Sequence, residues 1–234
     1  MTHSHHRCGD RKSLEGDFVL LSMVDTDNQA QLNYNGRYND RIQRFLSICA
    51  RHNTVGISAR SRGDLGRLRN MTYWDSSMDS GLHKQTPMEE IQRAEEIGSI
   101  CHGLFTDRYD LEAALLEIKN ADLGISIVVS GIIDVVFDVC NNIGIEPHTA
   151  SMSLGIWGKT ELLPESPVLE ICTMCGHAMI SRHLAEKLLR EVKKGSMTVE
   201  EAAVELGKQC TDNIFNTERG VKIIREYVQD VKTD

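Results

Sequence analysis

The sequence predicts an α/β fold: a mostly parallel sheet of about five strands flanked by helices, followed by a C-terminal segment of three helices. Three observations lead there. Short β-branched runs alternate with stretches of helical spacing through much of the chain. One helical stretch leads directly into a strand-like run at Val55, a succession that favours parallel strands. After Cys175 only helical spacing remains.

The elements follow in order. Residues 1–16 are polar, hold His3, His5 and His6, and read as a mobile tail; residues 17–234 read as a single domain in which 177–234 form a helical layer. Asp17 to Val24 is an apolar run of strand length, followed by Asn- and Gly-rich turn chemistry through Gly36. Ile42, Phe45, Leu46 and Cys49 recur at helical spacing between Asp40 and His52, and Val55 to Ala59 is a strand. Arg60 to Gln85 lacks periodicity and suits a ligand-covering loop or a partner surface. Thr86-Pro87-Met88-Glu89 starts a helix expected to reach Cys101, with a capping box and a proline in the first turn. Leu111, Ala114, Leu115 and Ile118 mark the next helix. Ile125 to Val129 is a β-branched strand, and Ile132 to Cys140 returns to helical spacing. Ala150 to Ile156 and Pro167 to Cys172 are expected to be extended. In the tail, Gly195 ends a first helix, Thr198-Val-Glu-Glu201 caps a second, and Val221, Ile224, Val228 and Val231 mark a third.

Composition narrows the function. With 26 lysines and arginines against 34 acidic residues, the chain lacks the basic balance of a duplex-binding protein, and 5% aromatics leave little to stack bases. No apolar run approaches the roughly 18–20 residues of a membrane span, and Met1-Thr-His-Ser-His-His lacks a signal peptide's apolar stretch. A cytoplasmic location is expected, where the seven cysteines stay reduced and a close pair suggests metal or redox chemistry.

That pair is in Cys172-Thr-Met-Cys175-Gly-His177, expected where a strand gives way to a helix. Unpaired amides at a helix start stabilise a thiolate, the form that ligates metal or attacks. With Cys210, which falls between two helices, Cys172, Cys175 and His177 make a four-ligand set suited to zinc or an iron–sulfur cluster. The alternative is that these cysteines are small core residues, the reading preferred for Cys49, Cys101 and Cys140 on apolar helical faces.

Met174-Cys175-Gly176-His177 resembles the M-C-G-H motif of the proline racemase family, where one cysteine of a pair exchanges the Cα proton; the resemblance implies that Cys175 is such a base. The family's second motif, C-G-T-G, is absent, and Cys210 is followed by Thr-Asp. A C-x-x-C between strand and helix is also the thioredoxin arrangement, but that fold requires strands downstream of the motif.

Charge is unevenly spread. Residues 37–69 contain eight arginines and two acids, net +6, leaving −14 for the rest of the chain. Arg60 and Arg62, after a predicted strand, are candidates to hold an anionic ligand bidentately; docking on the chain's own acidic helices is the competing expectation. No nucleotide motif results from Gly158-Lys159-Thr160, because Ser153 stands where a phosphate-binding loop needs its first glycine and Pro164 and Pro167 interrupt the helix. His148 is a possible outlying ligand or proton carrier.

The first expectation is a metal-dependent cytosolic enzyme for a small anionic metabolite or cofactor. Cys172, Cys175, His177 and Cys210 would hold the metal, and Cys175 and His177 would act in catalysis. The second is a non-enzymatic assembly factor whose structural metal site supports partner-protein binding. The third is metal-free thiol acid–base chemistry, with two cysteines facing each other across a small cavity. Homo-oligomers are compatible with all three.

Overall fold

The computed structural model describes residues 7–23, 37–59, 100–210 and 214–230. The expectations for His3 to His6, the turn before Gly36, Arg60 to Gln85 and the helix start at Thr86 lie outside these residues. After a short helix α1 (Arg11–Leu14) come β1 (Phe18–Met23), α2 (Arg37–Arg51), β2 (Gly56–Ala59), β3 (Ile100–Phe105), α3 (Arg108–Ala121), β4 (Ser126–Ser130) and α4 (Ile133–Asn142). A 3₁₀ turn (Thr160–Leu162) precedes α5 (Val168–Thr173), α6 (Arg182–Lys194), α7 (Val199–Gly207) and α8 (Thr217–Asp230).

The sheet is not mostly parallel and does not have five strands. It has four among the described residues, in the order β2-β3-β1-β4, and every hydrogen-bonded pair is antiparallel. The helix-to-strand succession is real, but its strands are not neighbours. β1 and β2 run the same way across α2 with β3 between them; β3 and β4 run the same way across α3 with β1 between them. Among the described residues the succession from β1 to β4 is the split β-α-β-β-α-β pattern.

Strand alternation sends side chains to two cores. Phe18, Leu20, Ile57, Cys101 and Phe105 face α2, α3 and α4, meeting Ile42, Phe45, Leu46, Cys49, Leu111, Ala114, Leu115 and Val139. The four α3 positions read from the sequence are all buried. The sheet approaches α2 closely at Gly103, where a Cβ would stand 2.8 Å from Cys49 Sγ. Val19 and Leu104 point the other way, into a second core built by α5 to α8.

Other expectations need correcting. Cys101 is on β3, not a helix; His102 and Gly103 dilute the strand signal, and the β1 register opposite Ser22 places Cys101. Pro167 to Cys172 is not extended, because residues 168–173 form α5, which buries Ile171 and Cys172. Residues 7–16 are packed rather than tail-like: Asp10 caps α1 through the Ser13 amide, and the Arg7 side chain is buried against Asp17. The C-terminal helices agree with the sequence, including Gly195 at φ 74° and the Thr198–Glu201 capping box. Among the described residues no helix is long and apolar enough to cross a membrane.

Candidate functional site: a buried thiol pair

The second core contains the cysteine motif. Helix α5 ends at Thr173, and Met174 and Cys175 turn the chain into the segment leading to α6. Gly176 (φ 74°) and Ala178 (φ 52°) both have left-handed backbones. A backbone alternating between right- and left-handed conformations converges its amides into an anion-binding nest. Here the anion is the chain's own sulfur: the Met179 N–H donates to Cys175 Sγ at 3.3 Å, and the His177 N–H donates as well.

Cys210 arrives from the turn after α7, where its N–H donates to Gly207 O at 2.9 Å. Its S–H is hydrogen-bonded to Cys175. Cys210 Sγ in turn accepts the Ile214 N–H at 3.3 Å, with the Phe215 amide turned to it as well. Both sulfurs thus have backbone donors, and the charge of His177 beside Cys175 makes the pair unequal. Cys175 is pulled down to about 5, first by the hydrogen bond from Cys210 and against the cost of burial, with the Met179 and His177 amides and the charge of His177 assisting. Cys210 is pushed far up, first by the same bond and then by burial. Cys172 is raised to about 11 by burial and by the nearby Cys175 thiolate. The direction of these shifts favours the charge on Cys175 over Cys210 and Cys172.

Clamps behind the site fix α5. Glu170 accepts from Ser13 Oγ (2.6 Å), Ser166 Oγ (2.5 Å) and Arg219 Nη2 (3.2 Å), and Thr173 Oγ1 accepts the Cys8 N–H (3.0 Å). Arg219 also donates to Asp17 Oδ2 at 2.7 Å and to Cys8 O at 2.7 Å. Helix α5 is thereby tied to the N-terminal segment, β1 and the start of α8.

The structure brings together Cys175, Cys210 and the backbone of His177, with Cys172 near enough for its charge balance to feel Cys175. Among the described residues, no group of three or more His, Cys, Asp or Glu side chains is arranged to hold a metal ion. Of the expected four-ligand set, Cys175 and Cys210 lie beside each other, with Cys172 and His177 near them. Arg60 and Arg62 lie outside the described residues. Of the arginine-rich stretch, Arg51 pairs with Glu117 of α3, so this one serves the chain's own fold. His148 is exposed and lines a cleft beside β4. Sequence reasoning missed the direct pairing across 35 residues and the amide nest; Gly176 immediately after Cys175 is the one local signal of the nest. Comparison with family models, curated proteins and solved structures finds no match.

Proposed function

We propose that the protein is a thiol–disulfide redox protein of a reducing compartment such as the cytoplasm, with Cys175 as the attacking thiolate and Cys210 as the resolving thiol. One observation carries the reading: the Cys175 sulfur accepts the Met179 N–H at 3.3 Å and has the Cys210 thiol and the His177 amide turned to it, all of which pull its pKa below the usual thiol range. A low thiol pKa at neutral pH keeps the nucleophile ionised, and a second thiol within reach completes exchange. The sulfurs hydrogen-bond directly, which favours disulfide exchange over proton transfer across an interposed substrate carbon.

In the exchange, Cys175 attacks one sulfur of an external disulfide and expels the other as a thiolate. Cys210 then attacks the Cys175 sulfur, releases the second substrate sulfur, and transfers its proton to a leaving thiolate. Two electrons pass from the dithiol to the substrate, leaving one Cys175–Cys210 disulfide, one thiol and one thiolate. Cys175 is 0% exposed, so the exchange requires residues 176–181 to lift; their two left-handed residues and the exposed Ala178 mark this segment as the cover.

Oxidised glutathione tests the assignment. Mass spectrometry is expected to find a Cys175–Cys210 disulfide in the wild type, a mixed disulfide on Cys175 in Cys210→Ser, and neither in Cys175→Ser. Preferential modification of Cys172 would overturn it. A second reading, zinc or an iron–sulfur cluster on Cys172, Cys175, Cys210 and His177, is supported by the three thiols sharing one core and by amides aimed at the Cys175 sulfur. Anaerobic purification with metal and sulfide analysis separates the two: stoichiometric metal lost in Cys175→Ala would favour this second reading.

A further inference from the structure

Away from the thiol pair, residues 146–163 form an arm that is exposed at every position. Its apolar side chains are nevertheless large: Leu154 is 86% exposed, Trp157 79%, Met152 69%, Leu162 67% and Ile156 53%. Only Glu146, Lys159 and Glu161 carry charge there. The described hydrogen bonds of the arm are local, such as Trp157 Nε1 to Leu154 O at 3.0 Å and Gly155 N–H to Ser153 Oγ at 3.2 Å. From Ser151 to Ile156 small or polar residues alternate with larger apolar ones, the pattern of a half-buried strand, yet this stretch is in no ladder.

An unpaired strand edge stands beside it. Among the described residues β4 is the last strand of the sheet, bonded only to β1. A largely apolar cleft of about 830 Å³ runs along it, lined by Ile127, Val129, Val136 and Phe137 and also by the start of the arm itself, Glu146 to Ser153. An unprotected edge of this kind is a template for another strand. The arm and the edge belong to one chain, so two copies can satisfy both at once by a two-fold exchange.

We propose that the protein is a homodimer in which residues 150–157 of each copy, whose first four line the cleft of their own chain, cross over and add to the β4 edge of the other, with Met152, Leu154 and Ile156 entering its cleft. The areas agree with that occupant. Covering the arm's exposed apolar side chains together with Ile133 and Phe137 removes on the order of 800 Å² per chain, the contribution each partner makes to a stable interface. The arm's near-neutrality suits an identical copy better than a charged partner.

Sedimentation velocity on the full chain at micromolar concentration tests this, with hydrogen exchange at residues 126–130 as the second readout. The wild type is expected at twice the 26.3 kDa chain mass with slow exchange at β4. Leu154→Asp/Trp157→Asp, both at exposed positions and hence neutral for the fold, is expected to be monomeric, with β4 exchange at least tenfold faster and β3 exchange unchanged. A monomeric wild type overturns the proposal. So does a variant that stays dimeric, or one that dissociates while β4 remains protected, since the arm would then be docked on its own chain or the edge covered otherwise.

Discussion

Replacing Arg219 by methionine tests how the N-terminal segment and the helical layer are held together. Arg219 and Asp17 are 2% and 0% exposed at their side chains and meet at 2.7 Å. The guanidinium also serves Ser13 Oγ, Cys8 O and Glu170 Oε2 at 3.1, 2.7 and 3.2 Å. Methionine keeps much of the apolar stem and removes the charge and every donor of the side chain. Breaking a buried pair by removing one partner costs about 3–5 kcal/mol, because the remaining charge has lost both water and its counter-ion. Asp17 keeps Arg7 and the Asn216 amide (3.1 Å), so the lower end, about 3 kcal/mol, applies here. At about 2–4 °C per kcal/mol for a chain of this size, the midpoint should fall by about 6–12 °C. Thermal and urea unfolding followed by circular dichroism measure this. Arg7→Met/Arg219→Met should cost more than the sum of the single variants, since Asp17 then has no cation. Arg11→Met, which breaks an exposed pair with Asp134, should leave the midpoint unchanged. A loss below about 1 kcal/mol for Arg219→Met would refute the argument that the buried network needs every partner.

Three further outcomes are expected. The Cys175 thiolate absorption should persist as pH falls from 9 to about 5 and be missing in Cys175→Ser. Because this group's folded pKa is depressed, the stability it contributes is present above the unfolded value near 9 and is lost as pH falls through about 5, so Cys175→Ser should flatten the pH dependence of unfolding across that window. Gly103→Ala should destabilise by about 1–3 kcal/mol in a urea titration, since the added methyl meets Cys49 Sγ at 2.8 Å in a packed core; a neutral result would show that α2 shifts freely. Thr198→Ala removes the side-chain acceptor of the Glu201 amide and should cost about 0.5–2 kcal/mol of unfolding free energy.

Much of the helical structure was legible because its causes are local. Leu111, Ala114, Leu115 and Ile118 place α3 and its buried face, and Thr198 with Glu201 starts α7, since spacing and capping act over a few residues. The strand-length runs at β1, β2 and β4 were legible for the same reason. Strand β3 was not: a histidine and a glycine interrupt it, and the capping box at Thr86 carries a helix reading on to Cys101.

What the sequence alone determined is therefore a set of local elements, a helical C-terminal layer, and one motif in which Cys175 precedes a glycine able to turn left-handed. Sheet order was a tertiary decision, because a strand-helix-strand connection fixes relative direction but not which strand inserts between the two. The thiol pairing was another. Cys172 is three residues from Cys175 and Cys210 is thirty-five away, yet Cys210 supplies the hydrogen bond: packing of α6 against both α5 and α7 brings it there, while Cys172 is buried in the same core without that bond. Proximity along the chain marks candidate ligands, but the energy that sets a thiol's charge comes from amides and sulfurs within hydrogen-bond reach, and only folding decides which those are.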